Sequence, residues 1–566
     1  MTGAEWSQCD RDGETIKALH ALCAGRGISL ARSAPPNSRS LVVELIGEAR
    51  SWTLRVDLQS DGTTLPFVLL EPPRGRLPHV GYGGVVCVSD GQGQSIDLEH
   101  PAEVAAHTLL AAYDLLEKWA AAGNASDIEF LNELEGYWSG LPDAAFGSAA
   151  LEIDDCDRLI AAYEDPHPVR SRWFFTERGV QASGSDIRKL EGQRGLYIHL
   201  SELPFVPVHP ERLTLDFIKA VRAAMSPTQL HLWTSLLEHT KNSAKRTVLL
   251  VSVPRQAGGR SLVGAAFTIH RGIVLRHAPV TPLSVRRHTA SYMRQRGGAT
   301  MELCGRHVAV LGCGAIGACV ADNLAISGLG KMTLVDADHY SEDNVFRHIL
   351  SPAYIDTFKA SALKHQLERR YPGLVVNDFV GDAEQWFAAS SLAGIDGIVV
   401  AIGTPAVDRV IGRKLRSAGL SMPVVTTWLE ALDLGGHSVR VWTNLPGCLD
   451  CLYRDDEGQS ALHPRTAFLQ ANQKVTRNLT GCGSVFVPYG ALQARKTALM
   501  AAEQMLSALI AGGAPPSYRF WRGDGDKARA QSLRTTTWWA EASNTPEEDA
   551  AACAFGLNCR QCRGGT

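Results

Sequence analysis

Apolar segments rich in β-forming residues run through residues 40 to 73, "SLVVELIGEARSWTLRVDLQSDGTTLPFVLLEPP", broken by Gly and Asp-Gly turn signals. That pattern predicts an antiparallel meander, ended by Pro72 and Pro73. In "HPAEVAAHTLLAAYDLLEKWAA" the apolar positions Val104, Leu109, Tyr113 and Leu116 recur near helical spacing, and Pro101 suits a first helical turn. Residues 1–160 therefore read as an α+β unit. From 161 to 284 helical stretches ("LTLDFIKAVRAA", "TQLHLWTSLLEH") mix with short strands ("TVLLVSVP", "LVGAAFTI"), and this α/β connecting segment carries no catalytic constellation. From 285 to 566 the pattern becomes strand, glycine loop, helix, strand in "HVAVLGCGAIGACVADNLAISGLGKMTLVDADHY". Further strands ("GIVVAIG", "PVVTTWL") alternate with helices, which predicts a doubly wound parallel sheet.

Charge and cysteine usage narrow the task. Lysine plus arginine number 56 against 59 aspartate plus glutamate, a net charge of -3, which argues against a dedicated nucleic-acid or anionic-membrane partner. The first thirty residues lack a signal peptide's apolar core, and no apolar run reaches the roughly 18 residues that cross a bilayer, so a cytoplasmic protein is expected. Thirteen cysteines, an odd number spread over the chain, suit metal binding or chemistry in a reducing compartment better than a disulfide framework.

Gly312, Gly314 and Gly317 form G-x-G-x-x-G directly after an apolar strand and open a helix. Without side chains such a loop can approach phosphates, and the helix N-terminus offers free N–H groups and positive dipole. Asp336, at the end of the next strand, is placed to accept from ribose hydroxyls. The same fingerprint serves NAD-dependent dehydrogenases. Beyond it, however, come Asp338, Asn344, Arg347 and Lys359, with Arg294 upstream in "SYMRQRGG". Several cations with a carboxylate pair suit adenylyl transfer, in which charge develops on the α-phosphate and pyrophosphate as they separate.

On these residues the segment 285–566 resembles the ThiF/HesA/MoeB superfamily, which includes the ubiquitin-activating enzymes. The resemblance implies a Rossmann-like adenylation domain that uses ATP and Mg2+ to adenylate the C-terminal glycine of a small protein. By that likeness Asn344, Arg347 and Lys359 take ATP-binding and catalytic positions, and Arg294 matches an arginine that reaches into the site, in many members from a partner subunit. Thr404 of "VVAIGTPAVD" stands where the family has an aspartate, so either Asp408 nearby substitutes or metal handling differs.

Two C-x-x-C pairs, Cys448 with Cys451 and Cys559 with Cys562, have 107 residues between them and can supply four thiolates to one tetrahedral Zn2+. Free thiols or a redox pair are the alternatives, and MoeB-like enzymes place their zinc pairs in the same order. Cys482, in "TRNLTGCGSVFVPYG", resembles the crossover-loop cysteine that accepts the activated carboxylate as a thioester, against a buried small residue beside a turn. Cys304, Cys313 and Cys319 surround the glycine loop and read as packing.

Cys87, in "LPHVGYGGVVCVSDG", reads in isolation as core packing. A downstream source of thioesters gives it another use, as acceptor of the acyl group. Residues 1–160 then resemble a ubiquitin-conjugating fold in which Leu77 and His79 stand for the histidine and asparagine of its His-Pro-Asn motif. The whole order is similar to the fused activating and conjugating enzymes of bacterial type II CBASS anti-phage operons. That likeness implies a homodimer conjugating the C-terminus of a cGAS-like nucleotidyltransferase to a target lysine. The alternatives are a stand-alone adenylyltransferase activating a sulfur carrier or ubiquitin-like protein, and a non-enzymatic nucleotide-sensing scaffold.

Overall fold

The computed structural model describes residues 8–32, 40–57, 64–73, 76–93, 95–166, 171–179, 190–204, 211–238, 244–455, 457–479, 485–513, 515–542, 547–555 and 559–563. It divides into two compact units, Met1–Thr289 and Ala290–Thr566.

The first unit begins with helix α1 (Gln8–Cys23) and strands β1 (Ser29–Arg32), β2 (Ser40–Ile46), β3 (Ser51–Asp57), β4 (Val68–Glu71) and β5 (Val85–Val86), paired antiparallel in that order. The expected meander is β2 to β4. Strict alternation turns Leu41, Val43 and Leu45 of β2 and Trp52, Leu54 and Val56 of β3 into the core. Each such side chain contributes about 1.5–3 kcal/mol when fully buried. Helix α2 (Pro101–Ala121) starts at the proline and packs Ala105, Leu109, Tyr113 and Leu116 on the same core, while Val104 is half-buried. Two short helices follow, α3 (Asn124–Asn132) and α4 (Leu134–Ser139).

The rest of this unit is more strand-rich than its sequence suggests. Strands β6 (Ala145–Ala150), β7 (Arg158–Asp165), β8 (Arg172–Glu177), β9 (Gly192–His199), β10 (Lys245–Pro254), β11 (Arg260–His270), β12 (Ile273–Val274) and β13 (Thr281–Arg287) form one mixed sheet. Its order is β10-β9-β7-β8-β6-β13-β11-β12, and β10 also pairs with β11, so seven of the strands close into a ring. Closure removes the exposed edges of those seven strands. Alanines 145, 149, 162 and 266 pack with Trp173, Phe175 and Tyr197 in one core cluster of this sheet. A second cluster takes α4, with α5 (Leu215–Ala223) and α6 (Pro227–Glu238), through Leu134, Trp138, Phe217 and Trp233.

The second unit opens with α7 (Ala290–Arg296) and is built on β14 (His307–Leu311), β15 (Lys331–Asp336), β16 (Val375–Val380), β17 (Gly397–Val400), β18 (Pro423–Leu429) and β19 (Gly435–Trp442). A small pair, β20 (Arg477–Asn478) with β21 (Val485–Phe486), precedes the last strand, β22 (Ser517–Arg522). The sheet order is β16-β15-β14-β17-β18-β19-β22. Its first five strands are parallel as expected, and β19 and β22 add an antiparallel edge because the short 430–434 link turns the chain straight back. Helices α8 (Ala315–Ile326), α9 (Lys359–Arg370), α10 (Ala383–Ala389), α11 (Pro405–Ser417) and α12 (Ala491–Ala511) accompany the sheet. Every residue of β14 is buried, which puts the loop after it at the centre of the sheet's carboxyl end. No described helix is long and apolar enough to cross a membrane.

Candidate functional site

The loop between β14 and α8 is held by steric need and backbone bonds. A Cβ on Gly317 would lie 1.8 Å from the Gly312 carbonyl oxygen, and Gly312 has φ 89° with the Ala401 carbonyl 2.8 Å from its own virtual Cβ. At those two positions only glycine fits. Gly314, the residue before α8, has nothing within 4 Å of a virtual Cβ. The fold does not require a glycine there, and the free space lies where a phosphate would approach the helix N-terminus.

Asp336 latches the loop. Its Oδ2 accepts from the Cys313 N–H at 2.6 Å and its Oδ1 from the Asp338 N–H at 2.8 Å. Burial raises its pKa despite those two donors and Lys359. Sequence reasoning missed His348: buried, it approaches the Cys313 carbonyl through Nε2 at 2.8 Å, and burial lowers its pKa, so the neutral ring donates. Its place directly after Arg347 was the available signal.

The other predicted residues gather near this loop unevenly. Lys359 is 8 % exposed, and its Nζ donates to Asp338 Oδ2 at 2.8 Å. Asn344 caps a short turn through Ser341. The Arg347 guanidinium lies 5.9 Å from the Tyr489 ring centroid. Tyr489, Gly314, Ile316, Ala401, Asp408 and Glu430 all line one cavity of about 520 Å³. Arg294, on α7, is not brought to the loop: it donates through Nη1 to Cys304 Sγ at 3.3 Å and lies beside Gly373, at the amino ends of β14 and β16. Cys313 and Cys319 are buried and Cys304 half-buried.

Asp408 is the unusual carboxyl of that cavity. It is 4 % exposed, its Oδ1 has no hydrogen-bond partner among the described residues, and burial alone pushes its pKa up to about 7. An unpartnered oxygen in a polar cavity wall fits a hard cation such as Mg2+.

The two C-x-x-C pairs converge. Cys448 Sγ lies 3.9 Å from Cys451 Sγ and 3.7 Å from Cys559 Sγ, and Cys451 Sγ lies 3.6 Å from Cys562 Sγ. Four sulfurs about 2.3 Å from one tetrahedral zinc would stand about 3.8 Å apart, so the arrangement fits that ion. Between the first pair, Asp450 is buried; burial raises its pKa, but Arg413 and Arg409 together hold it below the usual carboxylate range. That clamp, which the sequence did not announce, ties the loop of the first cysteine pair to α11.

In the first unit Cys87 is exposed, which departs from the packing expected of its window alone. Its N–H donates to the His79 carbonyl at 2.7 Å and its Sγ to the Ser89 carbonyl at 3.4 Å. His79 sits at φ 61°, with Nδ1 3.0 Å from Glu133 and Nε2 3.4 Å from Glu129. Cys482 lies outside the described residues.

Residues 291–535 match the model of the ThiF family. Over 508 residues the chain is 26% identical to the ATP-dependent ubiquitin transferase-like protein Cap2 of Pseudomonas aeruginosa, covering 85% of this chain and 88% of that one. A Cap2 of Escherichia coli is 26% identical over 282 residues, 48% of this chain and 44% of its own. A solved structure of Escherichia coli MccB with ATP shows 19% identity and a TM-score of 0.30, covering 42% of this chain and 64% of that one. Residues 291–535 thus form a ThiF family domain, within a chain whose likeness to ATP-dependent ubiquitin transferase-like proteins extends over 85% of its length.

Proposed function

We propose that the protein activates a protein C-terminal carboxylate with ATP and conjugates it to an amine through two cysteines. The observation that carries this reading is an exposed thiol, Cys87, in the same chain as a ThiF domain with an open, latched glycine loop. A domain that only adenylates has no use for a second, separately held thiol.

The sequence of bonds is as follows. The carboxylate attacks the α-phosphate of ATP, displacing pyrophosphate and giving an acyl adenylate. The Gly314 space and the N-terminus of α8 receive the phosphates, with Arg347, Lys359 and Asn344 beside them and Asp336 and Asp338 toward the ribose. The Cys482 thiolate displaces AMP to form a thioester, and the Cys87 thiolate then takes the acyl group, releasing Cys482 as thiolate. Finally an amine, expected to be a lysine, forms the amide bond and frees Cys87. Mg2+ would be held by Asp408 and would neutralise phosphate charge. Zn2+ on Cys448, Cys451, Cys559 and Cys562 would be structural.

The similarity to an ATP-dependent ubiquitin transferase-like protein over 85% of the chain supports ATP-dependent activation and transfer; a cGAS-like nucleotidyltransferase as the activated protein and a role in anti-phage defence are what the resemblance to the CBASS enzymes implies. Exposed Phe346, Leu492 and Leu499 support association of two copies through the ThiF domain, with Arg294 supplied between them. Residues 1–160 would be the conjugating part, 161–284 the connecting part and 285–566 the adenylating part.

The test is a set of full-length variants incubated with the candidate nucleotidyltransferase, Mg2+ and ATP. Cys482→Ala should abolish all reductant-sensitive adducts. Cys87→Ala should keep the adduct on Cys482 and lose the final conjugate. A Cys87→Ala variant that still forms conjugates would sink the relay.

A further inference from the structure

The exposed thiol of Cys87 directly follows β5, which pairs with β4, and its loop is held a second time from outside that sheet. The Cys87 N–H is bonded to the His79 carbonyl, Gly81 N–H to Val85 O at 2.8 Å, and Val80 bridges to Val86, so residues 79–87 form one tight unit. Val80 and Val86 anchor that unit in the core of the sheet, and His79 is the end that reaches the segment after α2. Its own N–H donates to Tyr137 Oη at 2.7 Å, and Tyr137 in turn donates to Glu133 Oε2 at 2.6 Å. Both ring nitrogens face carboxylates: Nδ1 faces Glu133 Oε1 and Nε2 faces Glu129 Oε1. Trp119 lies 5.8 Å from the imidazole ring centroid.

The partners are themselves fixed. Glu129 Oε2 accepts from Asn132 Nδ2 at 3.1 Å, and the Tyr137 ring stacks on Phe130 at 4.3 Å. Phe130, Leu134 and Trp138 are buried in the core that α3 and α4 share with the closed sheet, and Trp138 Nε1 donates to the Gly264 carbonyl at 2.9 Å. Burial and the bond to Glu133 raise the Tyr137 pKa, which keeps the phenol protonated as a donor.

Two roles are open to a histidine so close to a candidate acyl acceptor: donor to the acyl oxygen, or anchor of the loop. The contacts decide between them. A carboxylate stands within 3.0–3.4 Å of each ring nitrogen and would compete with an acyl oxygen for a ring N–H. A cation held by the same three residues would use one ring nitrogen, whereas here the carboxylates sit on different ones. His79 also has a left-handed backbone, uncommon for a side-chain-bearing residue and kept only where the surroundings impose it.

We infer that Glu129, Glu133 and Tyr137 are positioning residues for Cys87: they clamp His79 on both ring nitrogens and at its backbone N–H, and His79 passes the constraint to the Cys87 amide. This gives the segment after α2 a task, that of a rigid platform under the thiol loop. The inference rests on the reading of Cys87 as an acyl acceptor.

The experiment uses the full-length protein and two probes. One is a mercaptoethanesulfonate thioester of a glycine-ended peptide, which can hand its acyl group to Cys87 with release of the small thiolate. The other is iodoacetamide, which needs an accessible thiol but no held carbonyl. Both adducts are read on the Cys87 peptide by mass spectrometry, and amide hydrogen exchange is followed over residues 77–90. In a Glu129→Gln/Glu133→Gln double variant, and in Tyr137→Phe, exchange in the loop should rise and acylation should fall by about tenfold. Alkylation should stay within about twofold, since loss of folding would raise it. If His79 were the oxyanion donor, freeing its ring from the carboxylates would keep or raise acylation, and that result overturns the clamp. Unchanged exchange in both variants overturns it as well. A wild-type chain alkylated but never acylated removes the acceptor reading instead, while the exchange data still decide the clamp.

Discussion

Two loops carry the proposed chemistry, and they are held by different forces. The glycine loop follows a fully buried strand, takes its shape from close backbone packing that includes the Ala401 carbonyl against Gly312, and is latched by backbone N–H groups on Asp336, 23 residues from Cys313. The Cys87 loop is held by side chains from Glu129 to Tyr137, all of them reached across more than 40 residues of chain and partly in water. A loop locked by backbone sterics tolerates little change and does not depend on charge. One locked by a charge clamp can loosen without unfolding. The two loops should therefore respond oppositely to substitution.

The largest effect is expected at Gly317→Ala. The added Cβ meets backbone, the Gly312 carbonyl at 1.8 Å, so the strand-to-helix turn must shift as a whole. A cost of about 3 kcal/mol or more follows, read as a fall in Tm of at least about 6–12 °C. The contrast lies at Gly314→Ala, where a Cβ meets nothing in the protein. Its Tm should stay within about 2 °C while nucleotide affinity falls about tenfold, measured with a fluorescent ATP analogue. Equal melting of the two variants would break the distinction between a glycine kept for the fold and one kept for the ligand.

Next comes the metal. Cys448→Ser removes one of four converging sulfurs from a site that joins residue 448 to residue 562 across the second unit. Wild-type protein should contain about one zinc per chain by elemental analysis, and the variant much less, with Tm lowered by about 5–15 °C. A wild-type chain purified without chelators and free of zinc would refute the structural-metal reading. Asp450, held by Arg409 and Arg413 on α11, sharpens the contrast with the Cys87 loop. Here too a charge clamp fixes a loop, but the carboxylate is 2 % exposed, so breaking it should cost stability and not only order.

The same distinction governs what could be read from the chain. The meander at 40–71, the helix from Pro101 and the βαβ unit with its three glycines were legible because each is specified locally, by period, turn residue or steric need. The resemblance to the ThiF family rested on such local stretches, which the match over residues 291–535 bears out. The closed sheet was not legible: β6 to β9 are short and interleaved with charges, and ring closure between β10 and β11 is a nonlocal event without a motif. His79 could be named from its distance to Cys87, whereas Glu129, Glu133 and Tyr137 could not. Their partner lies over 40 residues away, and a Glu on a helix ordinarily faces solvent.

The smallest effect expected is at Asp408, and it turns on pH. Burial holds this carboxyl at a pKa of about 7 in the folded chain, above the roughly 3.9 of an unfolded aspartate. The neutral form is therefore favoured by folding. The stability it permits is complete below about pH 4, erodes as the unfolded chain ionises, and is lost as pH rises through about 7. The limit of that loss is of the order of 4 kcal/mol, and relaxation around the carboxylate should leave about 1–2 kcal/mol. Asp408→Asn should thus melt level with wild type near pH 4 and about 2–8 °C higher at pH 8. Mg2+ with ATP should raise both proteins and narrow that gap, because only the wild-type carboxylate gains further from a cation in the cavity. If Asp408→Asn melted level with the wild type at pH 8 as well, burial would not govern this carboxyl, and the reading of the glycine-loop cavity as a site set by burial and packing would fail.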